Sequence, residues 1–156
     1  MANKKTIRED AEVGAWAKRC FFAGRALMEE TLRPHDLGST QWYILHQLAQ
    51  VGPTMQRELP PLLQIERATV SIIVSALVRK GLVEQVPSEL DQRQNLLRLT
   101  TAGTRLWGEL PDLTFIHDEA FSGLSAADLE TTARVLRAAT QRLTQRLKGK
   151  KAWRSW

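Results

Sequence analysis

Between residues 64 and 100 the apolar residues change their period, and that change limits the folds open to the chain. From Glu66 to Lys80, Val70, Ile73, Val74 and Leu77 recur at the spacing of one helix face. Gly81 closes this helix, because glycine enters left-handed backbone without a steric penalty. Two short extended runs follow, LVEQVP (82–87) and NLLRLT (95–100), parted by the polar, turn-prone SELDQRQ. A helix thus feeds a hairpin whose tip carries a base, Arg93.

The flanking segments read as helix. Val13, Ala17, Cys20, Phe21, Gly24, Leu27 and Met28 keep helical spacing over about residues 9–33. The run Arg33-Pro34-His35-Asp36-Leu37-Gly38 interrupts the chain. Ser39 or Thr40 can cap a second helix bearing Trp42, Ile44, Leu45 and Leu48, which stops at Gly52-Pro53. A short helix is expected from Met55 to Leu63, shortened or restarted near Pro60, since proline suits only a first turn. Thr100 or Thr101 can cap a fifth helix, which Pro111 must kink or end. Ser125 and Asp128 resemble a capping box before the last helix. There Leu129, Ala133, Leu136, Thr140, Leu143 and Leu147 form a heptad seam. The expected order is four helices, two strands and two helices.

This is a mainly α chain with a small β-hairpin wing, the layout of a winged helix-turn-helix. The arrangement suits double-stranded DNA, because a helix N-terminus fits the major groove while an adjacent hairpin reaches backbone or minor groove. Arg67 can donate in bidentate fashion to guanine. The hydroxyls of Thr69 and Ser71 can bind phosphate or base edges. Arg93 suits a narrow, electronegative minor groove.

Charge alone would not have led there. The 156 residues carry a formal charge of +5 and a pI near 9.8. No acid follows Glu130, whereas eight bases do, from Arg134 to Arg154. The first 130 residues hold 14 bases against 17 acids, and residues 64–100 hold five against four. Basicity is therefore a property of the C-terminal stretch. No apolar run reaches the ~18 residues of a membrane span, so no membrane is expected. The opening MANKKTIRED lacks the apolar core of a secretory signal. A single cysteine, Cys20, excludes an internal disulfide and suits a reducing cytoplasm. The scattered glycines form no phosphate loop, and His35, His46, His117 and Cys20 lack metal-ligand spacing. No catalytic residue, metal or cofactor is expected, and the chain does not read as an enzyme.

The run ATVSIIVSALVRKGLVEQVPSELDQRQNLLRLTTAG (68–103) resembles the signature of MarR-type regulators. The matching pieces are Thr69-Val70-Ser71, Leu77 to Val83, Asp91-Gln92-Arg93 and Leu99 to Gly103. Leu37 to Trp42 upstream and Gly123-Leu124-Ser125 downstream also match, so the likeness spans about residues 9–147. The resemblance implies one domain over 1–156. Residues of about 9–33 and 101–147 would be dimerisation helices, about 39–100 the DNA-binding lobe and 148–156 a basic tail without fixed structure. It makes Arg93 the minor-groove arginine and Asp91 the residue that holds the wing tip. Two departures stand out. Ile72 occupies a place where the family usually has a base, and Glu58-Leu59-Pro60-Pro61 replaces Glu-Leu-Ala.

The resemblance further implies a homodimer on a near-palindromic operator, by default a repressor released by a small ligand, often an aromatic acid. The leucine seam and the first helix offer the dimer surface. Trp16 and Arg19, at i and i+3, and Trp42 and His46, at i and i+4, offer walls for a flat acid. The indoles would sandwich the ring while Arg19 or His46 neutralises the carboxylate. Arg25, His35, Tyr43 and His117 are further candidates. Cys20-Phe21-Phe22-Ala23 resembles the family's hydroperoxide-sensing branch, but Gly24 stands where a tyrosine is expected. A buried, inert thiol is therefore the expectation. The remaining alternatives are a thiol-based oxidant sensor acting through Cys20 and a helical interaction module that does not bind DNA.

Overall fold

A computed structural model describes residues 9–89 and 94–152 of the chain. In order they form α1 (Glu9–Leu32), α2 (Ser39–Gln50), β1 (Thr54–Met55), α3 (Leu59–Leu63), α4 (Arg67–Arg79), β2 (Val83–Pro87), β3 (Asn95–Leu99), α5 (Thr101–Glu109), α6 (Phe115–Phe121) and α7 (Ala126–Ala152). Short 3-10 turns at Arg33–His35 and Gln56–Glu58 precede α2 and α3. The chain divides into two compact units, one ending at Ile116 and the other beginning at His117. No single helix among the described residues is long and apolar enough to cross a membrane.

The first unit is built on one apolar core. Ile44, Leu45 and Leu48 of α2, Leu59 of α3, Val70, Val74 and Leu77 of α4, Val83 of β2 and Leu97 of β3 are all buried. Only the C-terminal end of α1 reaches this core, through Met28 and Leu32. Val13, Trp16, Phe21 and Phe22, farther up α1, stay exposed. Cys20 is exposed with them, contrary to the expected buried thiol, because that stretch of α1 has no core to enter.

The mainly α architecture with a small antiparallel sheet is the one read from the sequence, with two additions. The sheet has three strands in the order β1-β3-β2, Thr54 facing Leu97 and Val83 facing Leu99. Two residues carry no alternation, so β1 left no periodic signal. The stretch after Pro111 also forms a helix of its own, α6. In the proline segment, α3 starts at Leu59 with Pro60 in its first turn, where a missing N–H is harmless. The last helix continues to Ala152, so the tail expected from residue 148 begins within it, and residues 153–156 lie outside the described part.

The caps show how the elements are joined. Thr100 Oγ1 accepts from Gly103 N–H at 3.0 Å and its own N–H donates to Leu82 O at 3.1 Å, tying α5 to the wing. Ser125 Oγ accepts from Asp128 N–H at 3.1 Å at the head of α7. For α2 the expected Ser39 or Thr40 cap is replaced. Gly38 is the cap residue, its N–H donating to Gln41 Oε1 at 3.2 Å, and Glu29 of α1 accepts from Ser39 N–H at 3.0 Å. An anion from the neighbouring helix thus sits against the positive end of α2. Burial pushes the Glu29 carboxyl upward, but the Ser39 hydroxyl and amide and the Arg25 guanidinium outweigh it, leaving it below its ordinary value.

Two outcomes follow from these joints. A Cβ on Gly103 would lie 2.0 Å from the Leu82 carbonyl oxygen, whereas one on Gly108 meets nothing within 4 Å. Gly103→Ala should therefore cost about 1–3 kcal/mol or more, while Gly108→Ala gains up to about 1 kcal/mol from helix propensity. Urea denaturation reads both, and an unchanged midpoint for Gly103→Ala would contradict the packing. Because the folded Glu29 carboxyl is lowered, its stabilisation is complete above the unfolded value of about 4.3 and fades as pH falls through the folded one. Glu29→Gln should thus lower stability at pH 7 by about 1 kcal/mol or less, given its partial exposure. The gap to wild type should close in acid, and a gap independent of pH would contradict the joint.

Candidate functional site

The exposed surface of α4 follows from which face of the helix the core takes. With Val70, Val74 and Leu77 inward, Arg67, Ala68, Thr69, Ile72, Ser75 and Arg79 are left exposed. Glu66 caps the helix in extended backbone without a side-chain bond, so the first turn of α4 is open. Arg67 and Thr69 therefore stand at an accessible helix N-terminus, as the sequence suggested. Ser71 is different: it is half-buried and its hydroxyl donates to Arg67 O at 3.1 Å.

Ser71 also belongs to a short polar chain that the sequence did not disclose. Gln56 Nε2 donates to Ser71 Oγ at 3.3 Å, and Gln85 Nε2 donates to Gln56 Oε1 at 2.6 Å. One glutamine before α3 thereby links the recognition-helix candidate α4 to β2 of the wing. Only the pairing of β1 with β3 brings Gln56 there, which is why residue spacing could not reveal it. The wing is braced again by Arg98 Nε on Glu84 Oε1 at 2.5 Å and by Ser88 N–H on Gln94 O at 2.8 Å. Asp91 and Arg93, expected at the wing tip, lie outside the described residues.

The far end of α4 is anchored to the α1–α2 junction. Lys80 Nζ donates to Asp36 O, faces Asp36 Oδ2 at 3.2 Å and reaches Gln41 Oε1 at 3.3 Å. These groups, with Glu29 and Arg33, line an open cleft of about 410 Å³. Lys80 and Asp36 pair with each other there, and the cleft holds none of the aromatic residues expected to bind an acid.

Those aromatic residues form two sets. On α1 the Arg19 guanidinium lies 4.9 Å over the exposed Trp16 ring, a cation–π pair. On α2 the half-buried Trp42 stacks on His46 with centroids 4.9 Å apart and 22° between planes. Trp107 of α5, which sequence reading passed over, closes this second set, 5.5 Å from Trp42 and 5.7 Å from His46. Tyr43 meets the edge of Trp42 at 5.3 Å. Among the described residues no ring contact joins the Trp16 set to the Trp42 set. Of the further candidates, Arg25 pairs with Glu29 at 3.7 Å and His117 stacks on Phe121 at 6.3 Å. No group of three or more metal-ligating side chains occurs among the described residues.

The model of the MarR family matches residues 35–94, the stretch from the α1–α2 junction to the wing. Among solved structures, a mutant MarR from E. coli complexed with operator DNA is 24% identical, with 87% of this chain and 99% of that chain covered at a TM-score of 0.76. BpsR of Bordetella bronchiseptica, whose DNA binding is regulated by 6-hydroxynicotinic acid, is 24% identical over 83% and 98%, with a TM-score of 0.71. The PcaV transcriptional regulator of Streptomyces coelicolor is 25% identical over 85% and 97%, with a TM-score of 0.67.

The Gln56 link has a measurable signature. Gln56→Ala and Ser71→Ala should each destabilise the fold by about 1 kcal/mol. Their double variant should cost less than the sum by about 0.5 kcal/mol or more. Strict additivity in urea titrations would show that the two side chains share no bond.

Proposed function

We propose that this chain, whose residues 35–94 match the model of the MarR family, is a winged-helix transcription regulator of that kind, a dimeric repressor released from its operator by a small aromatic carboxylate. The observation that carries this reading is the open N-terminal turn of α4, with Arg67 and Thr69 exposed beside the wing. Such a turn can enter a major groove while Arg93 reaches the minor groove, with Asp91 holding the tip. Ser71 would act from behind, through its bond from Gln56, because its single O–H is already given to Arg67 O and its remaining lone pair can accept only from a donor such as a base-edge amine.

A palindromic site needs two heads. The exposed apolar residues of α1 in the first unit, and separately Leu143 and Leu147 of α7 in the second, are each available to a second copy. In this reading 9–33 and 101–147 are the dimerisation helices of one domain, and the protein works in the cytoplasm. The effector class is supported by the aromatic sets, Trp16 with Arg19 and Trp42 with His46, and by the pyridine-type acid that regulates BpsR. In the second set the stacked His46 would open from Trp42 to admit a ring. The exposure of Cys20 favours one alternative trigger, oxidation of that thiol.

One titration separates these readings. Fluorescence anisotropy of DNA from upstream of the chain's own gene should show binding that weakens steeply with salt. It should weaken about tenfold or more in Arg93→Ala, with dimer mass unchanged. Millimolar 6-hydroxynicotinate or hydroxybenzoate should release the DNA, and Arg19→Leu should blunt that response. Release by peroxide that is lost in Cys20→Ser would move the trigger to the thiol. Absence of salt-dependent binding would leave a helical interaction module instead.

A further inference from the structure

The outward face of α4 has a feature that neither charge nor hydroxyl chemistry explains. Ile72, in the middle of the helix, is 70% exposed, while its neighbours Val70 and Val74 are almost wholly buried. Ala68 lies one turn before it and Ser75 one turn after, both exposed, and Thr69 stands beside it at i−3. The exposed face is therefore apolar at its centre, formed by the methyls of Ala68, Thr69 and Ile72. It is bounded by Arg67 at one end and Arg79 at the other.

That pattern fits one occupant. A protein partner would need an apolar patch far larger than one isoleucine and two methyls. The floor of a DNA major groove offers matching chemistry in small units, because each thymine presents a single C5-methyl group there, and apolar side chains read it by contact. Arg67 and Arg79, exposed at the two ends of the helix, are of the type that binds phosphate. We propose that Ile72, assisted by Ala68, is a specificity-determining residue that reads thymine C5-methyl groups at the centre of each half-site. The inference rests on the reading that α4 enters the major groove. It adds which base the middle of the helix selects and the group by which it does so.

The experiment begins with selection of duplex DNA from a random-sequence pool by the full chain. Each thymine of the selected half-site is then replaced by deoxyuridine, which removes only the methyl. At one thymine, or two adjacent ones, the replacement should weaken wild-type binding about fourfold, the worth of one buried methyl. Ile72→Ala should bind the thymine site more weakly and should be indifferent to that same replacement. Because Ile72 is exposed, the variant keeps the fold. Ile72→Arg should shift the preferred base at that place from thymine to guanine in a repeated selection. Equal losses in wild type and Ile72→Ala at every thymine, or no loss anywhere, would overturn the proposal while leaving the regulator reading intact. Failure to select any duplex would overturn both.

Discussion

The fold of the head depends on one burial event, the locking of the inner face of α4 against α2 and the sheet. Val70, Val74 and Leu77 share a core with Ile44, Leu45, Leu48 and Leu97. Each such side chain contributes about 1.5–3 kcal/mol when withdrawn from water, so the rotation of α4 about its axis is not negotiable. Once that rotation is set, Arg67, Thr69 and Ile72 have nowhere to point but outward. The chemistry on the outer face of α4 is thus a by-product of packing, and a substitution in the core would disturb it as surely as one at the surface.

The remaining joints hold what that core has positioned. Gln56 connects α4 to β2, Thr100 and Gly103 press α5 against the carbonyl of Leu82, and Lys80 ties the end of α4 to the α1–α2 junction. Glu29 extends the same logic to α1, because its carboxylate caps α2 from outside that helix. A shift of the α1–α2 junction would therefore act on groups bonded to the C-terminal end of α4. Such bonds are individually worth only about 1 kcal/mol, little enough for the change of state that the proposed function requires.

Much of this was legible in the sequence, and the reason is periodicity. The inner face of α4, the hairpin after Gly81 and the Thr100 cap each arise from neighbours within a few residues. What escaped was non-local. Two-residue β1 has no pattern to detect, Glu29 caps a helix ten residues away, and Gln56 meets Ser71 only after the sheet forms. Trp107 joined Trp42 and His46 for the same reason, from a helix that sequence spacing does not relate to α2. Cys20, expected as a buried and inert thiol, is exposed. Val13, Trp16, Phe21 and Phe22 of the same helix are exposed with it.

The central claim is that residues 64–100 form a head that reads duplex DNA through the outer face of α4, twice per dimer. Hydroxyl-radical footprinting on the DNA upstream of the chain's own gene tests it most directly. The account predicts two protected half-sites with centres about one helical turn apart, 10–10.5 base pairs, related by a near-palindrome. Protection without that spacing, or no protection at concentrations that saturate the dimer, would contradict it.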